Sequence, residues 1–96
     1  VEDYVLTSDG SKFMRFDYIF KETSTIKEAQ VIQKKIDQIT IRYVPRNNFK
    51  NDELDKISIL IKKYISNILK INFEKVEKIE RSQNGKFKAV ISEIHE

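Results

Sequence analysis

The stretch 51-NDELDKISILIKKYISNIL-69 decides the fold. Leu54, Ile57, Ile61, Ile65 and Ile68 recur at spacings of three and four, which lines them along one side of an α-helix. Asn51 suits the cap, Asp52, Glu53 and Asp55 complement the positive N-terminal end, and Lys62 and Lys63 lie toward the other end. The pattern predicts a helix over about 51–68. A stripe of isoleucine is packing material for a sheet, not a cofactor box.

Strand patterns flank the helix on both sides. Upstream, 29-AQVIQKK-35 and 37-DQITIRYV-44 read as an antiparallel pair, with Ile39 and Ile41 alternating against Gln38, Thr40 and Arg42. The pair is joined through 34-KKID-37 without a glycine, and the sole proline, Pro45, ends it. Further upstream, 3-DYVLTSDGSKFMRFDYIF-20 reads as two extended runs around a tight Asp9-Gly10 turn. In the second run Phe13, Arg15, Asp17 and Ile19 alternate with Met14, Phe16, Tyr18 and Phe20, a strand covered on both faces. Thr23 or Ser24 then caps a short helical turn through 26-IKEA-29. Downstream of the helix, 69-LKINFEKVEKI-79 alternates again, and after Asn84-Gly85 the chain returns as 86-KFKAVIS-92. The sum is an α+β fold: a small, mainly antiparallel sheet of hairpins with one long amphipathic helix on one face.

Composition limits the function. At 96 residues the chain is a single domain, 1–96, with a modest core. Eighteen basic residues against fifteen acidic ones give +3, and the bases are scattered, which argues against a nucleic-acid footprint. There is no cysteine, so disulfides and thiolate metal sites are excluded. The only histidine, His95, is next to last, so a serine–histidine–acid site would have to be built on a chain end, and a zinc ligand set is missing. No metal site is expected. Gly10 and Gly85 stand alone, so no Gly-rich phosphate loop exists. No apolar run is long enough for a membrane span and no signal-peptide pattern opens the chain, which fits a cytoplasmic protein without membrane contact. The first residue is Val1, not methionine, as expected either where the start has been removed or of a piece of a longer polypeptide.

Most of the functional information lies in 82-SQNGKFKAVIS-92. Asn84-Gly85 is the strongest hairpin signal in the chain, and a hairpin needs nothing catalytic. A hairpin is also compatible with a second reading, a tip that carries a catalytic lysine into another domain's site. A tight turn leaves Lys86 at the base of an exposed tip, where its long stem can carry an ammonium toward phosphate. Gly85 lets a ligand or another domain approach the backbone closely.

The stretch 81-RSQNGKFKAV-90 resembles the C-terminal lysine motif of the adenylate-forming enzymes: Ser/Thr, a variable residue, Ser/Asn, Gly and Lys, then a basic residue. It is most similar to the phenylacetate–CoA ligase-like branch, which includes capsular polysaccharide biosynthesis proteins. The opening 1-VEDYVLTSDG-10 resembles the segment just past the Gly-Arg of that superfamily's hinge motif, and 14-MRFDYIFKETSTIKEAQVIQ-33 is similar to the branch's middle segment. Glu80 stands where many relatives carry proline, and Glu2 where aspartate or lysine is more usual.

The resemblance implies the C-terminal mobile lid of a longer ligase. Its partner is the N-terminal nucleotide- and acid-binding domain of the same polypeptide, which binds ATP with magnesium. By motif position Lys86 is the adenylation lysine, with Gly85 beside it at the nucleotide. Glu2 and Asp3 occupy the hinge, and Thr7, Ser8, Asp9 and Gly10 form the loop that faces the site in a second pose. That pose serves a second half-reaction, often thioester formation with coenzyme A. The isolated chain is expected to bind no cofactor and to catalyse nothing alone. The alternative from composition is a stand-alone α+β module binding nucleic acid or protein, with Tyr18, Phe20 and Tyr43 as stacking residues.

Overall fold

The computed structural model describes residues 3–94. Val5–Leu6 (β1) and Lys12–Phe13 (β2) form a small antiparallel pair, followed by one helical turn, Asp17–Phe20 (α1). Then come Ile26–Lys35 (β3), Gln38–Pro45 (β4), the helix Asp52–Tyr64 (α2), Lys70–Lys75 (β5) and Val90–Ser92 (β6). The larger sheet has the order β5-β4-β3-β6.

The α+β class and the central hairpin are as expected. β3 and β4 pair antiparallel with Val31 opposite Ile41, and the glycine-free turn is made by Asp37 at φ 57°, one of the few residue types that tolerates a left-handed backbone. Pro45 closes β4. The mainly antiparallel arrangement is corrected: β5 runs parallel to β4 and β6 parallel to β3, so the sheet is mixed. A parallel neighbour needs a long crossover, and α2 supplies it between β4 and β5. β5 and β6 lie at opposite edges of the sheet, so they are not the two arms of a hairpin.

Other expectations shift as well. The helix spans Asp52–Tyr64 rather than 51–68. Its end is closed by the N–H groups of Ile65 and Ser66, which both donate to the Ile61 carbonyl (2.8 and 3.1 Å). Past that point Ile68 is 62% exposed, outside the stripe, and Leu69 turns into the core instead. Asn51 makes no side-chain cap. The buried Glu53 carboxylate fixes this end of the helix by accepting from the Thr25 N–H (3.1 Å) and hydroxyl (3.0 Å). Residues 26–29 belong to β3, not to a helical turn capped by Thr23 or Ser24. Thr23 closes the turn after α1, its hydroxyl donating to the Phe20 carbonyl (2.5 Å). The long strand expected over 13–20 is only β2 followed by α1, which buries Ile19 and leaves Tyr18 partly exposed.

The core lies between α2 and one face of the sheet. Val31, Ile39, Ile41 and Tyr43 meet Ile57 and Ile61 of the helix, with Val5, Phe16 and Ile19 joining from the N-terminal segment. The other sheet face carries Glu28, Gln30 and Ile32 on β3 and Thr40, Arg42 and Val44 on β4, as the register requires. Ile32, Val44 and Ile79 are buried outside the main core cluster.

Candidate functional site

Residues 76–89 connect the two edges of the sheet by crossing this second face. The Val76 N–H donates to the Tyr43 carbonyl (2.9 Å) at one end, and the Val31 N–H donates to the Ala89 carbonyl (2.8 Å) at the other. Between them β3 supplies two anchors, both on the face away from α2. Glu28 pairs with the Arg81 guanidinium, and the buried Gln30 amide donates to the Lys88 carbonyl (2.9 Å). The motif loop 82–86 projects between these anchors.

The loop closes on itself. The Ser82 N–H donates to the Lys86 carbonyl (2.7 Å), and the Gly85 N–H donates to the Ser82 carbonyl (3.0 Å). The Ser82 hydroxyl adds bonds to the Asn84 side chain and to the Lys86 carbonyl (2.9 Å). Gly85 has φ 79°, the left-handed region that glycine enters without a Cβ penalty. A Cβ there would meet nothing within 4 Å, so the backbone at the tip stands open to another body. The hairpin expected at Asn84-Gly85 is thus a local three-residue loop, and it joins no paired strands.

Lys86 is exposed, and among the described residues no carboxylate lies within ion-pair distance of it. It lines a cleft of about 460 Å³ with Asp3, Met14, Ser82, Phe87 and Lys88 among its neighbours. Asp3 therefore shares a site with the lysine loop. Its carboxylate accepts from the Ser92 N–H (2.8 Å) and lies 3.9 Å from the Lys88 ammonium. Glu2, expected with Asp3 at the hinge, falls outside the described residues, as does His95.

Thr7, Ser8, Asp9 and Gly10 do not line this cleft. They form a second loop of the same construction: the Thr7 N–H donates to the Ser11 carbonyl (3.0 Å), the Gly10 N–H donates to the Thr7 carbonyl (2.9 Å), and Gly10 has φ 88°. Only the glycine has positive φ, so a three-residue loop replaces the two-residue turn expected here. Thr7 is 4% exposed, its hydroxyl donating to Asp9 (2.5 Å), while the Ser8 N–H donates to Asp37 at the β3–β4 turn (3.0 Å). Hydrogen bonds from the Thr7 hydroxyl first, then from Ser11, hold the Asp9 carboxyl below its ordinary value. This loop sits at the Asp37 end of β3 and the lysine loop at the Glu28–Gln30 end, roughly 15–25 Å along the strand.

Glu28, Gln30, Arg81 and Phe87 were not identified from sequence as parts of the site. The Arg81–Phe87 pairing had a readable signal, since closing the loop between 82 and 86 sets 81 opposite 87. The β3 partners are separated from it by more than fifty residues and had none. The three aromatic side chains proposed for stacking do not form one platform. Tyr43 is buried against Phe49 and Phe73, Phe20 stacks on Phe16, and Tyr18 meets Tyr64 edge-on. Among the described residues no group of three or more histidine or acidic side chains could hold a metal, and no helix is long and apolar enough to cross a membrane.

With this geometry in view, a family model described as the CapK C-terminal domain matches residues 5–93. No curated protein and no solved structure matches the chain.

Proposed function

We propose, for a chain that belongs to the CapK C-terminal domain family, the role of mobile lid in an ATP-dependent, acyl-adenylate-forming ligase of capsular polysaccharide biosynthesis. A C-terminal domain implies an N-terminal partner domain in the same polypeptide, and in this reading the partner binds ATP with its magnesium and the carboxylic acid. Lys86 is this chain's contribution to the first half-reaction. The acid's carboxylate oxygen attacks the α-phosphorus, the bond to the β-phosphate oxygen breaks, and pyrophosphate leaves. Attack brings two anionic groups together, and an ammonium placed between them offsets that repulsion most strongly where water is excluded. Lys86 suits this: it is exposed, no described carboxylate lies within ion-pair distance of it, and the open backbone at Gly85 lets the loop tip enter a neighbouring domain's cleft.

The observation that carries the reading is the meeting, in one cleft, of the motif lysine and Asp3 from the segment that resembles the hinge. The separation of the two glycine loops along β3 supports two poses, because rotation about that segment would exchange one end of the strand for the other. The second half-reaction, transfer of the acyl group to coenzyme A or another acceptor, would use the end bearing Ser8, Asp9 and Gly10. The first test is pyrophosphate exchange by the full-length protein. Lys86→Ala should lower it roughly 10²–10³-fold, the usual cost of one such electrostatic contact. Exchange within a factor of three of the native rate would remove the assignment.

A further inference from the structure

We infer that Arg81 is the positioning residue of the lysine loop, holding Lys86 on station through a clamp formed with Glu28 and Phe87; the catalytic part of this inference rests on the function proposed above. Three observations meet at Arg81. Its guanidinium pairs with the Glu28 carboxylate of β3, one of the two inner strands of the sheet, with a neighbour on each side. Its carbon Cζ lies 4.7 Å from the centre of the Phe87 ring, within the range in which a guanidinium is held by an aromatic face. It also directly precedes Ser82, whose N–H and hydroxyl both close the loop onto the Lys86 carbonyl.

Arg81 and Phe87 therefore face each other one step below the Ser82–Lys86 closure, and Glu28 fixes that pair to the sheet. On the same face of β3, two residues along, the Gln30 amide holds the Lys88 carbonyl. Both legs of the loop are pinned to one strand, about 7 Å apart at β-strand rise. A three-residue loop closed between Ser82 and an exposed lysine would otherwise swing freely about its base. Placement errors near 1 Å cost rate far more than they cost stability. Lysine at position 81 keeps the charge but lacks the planar face that stacks on a ring while pairing with a carboxylate, so Arg81→Lys is not a silent change.

The test compares loop protection with catalysis in the full-length protein. Millisecond-labelling hydrogen exchange reads the Ser82 and Gly85 amides, and pyrophosphate exchange reads adenylation. Arg81→Gln should raise exchange of the loop amides at least fivefold while β3 and β4 amides keep native rates. It should lower kcat for pyrophosphate exchange at least tenfold with KM for ATP unchanged. Combined with Lys86→Ala it should add no further loss, because Arg81 acts through Lys86. Native loop exchange in Arg81→Gln overturns the inference, and so does an additive loss in the double variant. If Arg81→Gln loses protection across β3 and β4, Phe87→Leu replaces it, keeping the apolar bulk and removing the ring face. Loosening confined to the loop then upholds the clamp, and native loop exchange overturns it. Should Lys86→Ala itself exchange pyrophosphate normally, the catalytic reading fails, and loop protection alone still decides whether Arg81 orders the loop.

Discussion

Two loops of this protein share one hydrogen-bond plan and differ in what surrounds them. In 7-TSDGS-11 and 82-SQNGK-86 the first residue's N–H donates to the carbonyl of the fifth, the glycine's N–H donates back to the first, and the first hydroxyl reaches the side chain of the third. Both glycines have φ near 80°. The first loop is tied into the body. Thr7 is buried, Ser8 bonds to Asp37, and adjacent Leu6 exchanges two hydrogen bonds with the buried Gln33 amide (2.8 and 2.7 Å). Among the described residues the second loop is held only through its legs, and its tip projects. The same local code makes a brace in one place and a projecting, exposed loop in the other. Tertiary contacts, not the turn itself, decide which.

If that contrast is right, the first loop answers to its tethers in stability and the second answers to its own in rate. Gln33→Leu should separate them most sharply. It leaves the Leu6 N–H and carbonyl without their partner, and loss of such bonds costs about 1–3 kcal/mol per group. Urea unfolding should show a loss of about 2–6 kcal/mol. Arg81→Gln, at a half-exposed pair, should cost under about 1 kcal/mol in the same assay. Equal losses in the two variants would erase the distinction.

The glycines provide the internal control. Neither Cβ position meets an atom within 4 Å, so alanine at either site pays only for its left-handed backbone, about 1–2 kcal/mol. Gly10→Ala and Gly85→Ala should therefore destabilise alike, while only Gly85→Ala slows pyrophosphate exchange. A large gap between their unfolding free energies would mean that the loops are not equivalent in backbone strain.

The smallest effect is in pH. Asp9 is held below its ordinary value of 3.8, so its loop bonds stabilise the folded state above that pH and fade as the pH falls through the lowered value. Asn84 takes the same place in the second loop and does not titrate. Amide exchange at Gly10 should accelerate relative to Gly85 below about pH 4, after correction for intrinsic rates, and Asp9→Asn should abolish that difference. A Gly10 amide that keeps its relative protection through acid would contradict the role given to the carboxylate.

Much of this architecture is legible in the chain. The helix announces itself through Leu54, Ile57 and Ile61, the central hairpin through the alternation around Ile39 and Ile41, and Pro45 stops the strand where a donor would be lost. Period two tells which face a residue takes but not which strand lies beside it. That is why β5 and β6 read as a hairpin although they sit at opposite edges. Met14–Phe20 misled for a related reason: one helical turn is too short to show its own period against an alternating run. At the candidate site, the loop closed between Ser82 and Lys86 around Gly85 was readable because a local turn signal carries it. Glu28 and Gln30 were not, because their partners Arg81 and Lys88 are brought to them only by the chain crossing the second face of the sheet.

In the proposed role, Lys86 serves adenylation and not acyl transfer. Full-length protein carrying Lys86→Ala, assayed in parallel for pyrophosphate exchange and for thioester formation from supplied acyl-adenylate, tests it most directly. The expected result is a loss of roughly 10²–10³ in the first and a change of less than about threefold in the second. Equal losses in both, or none in the first, would contradict it.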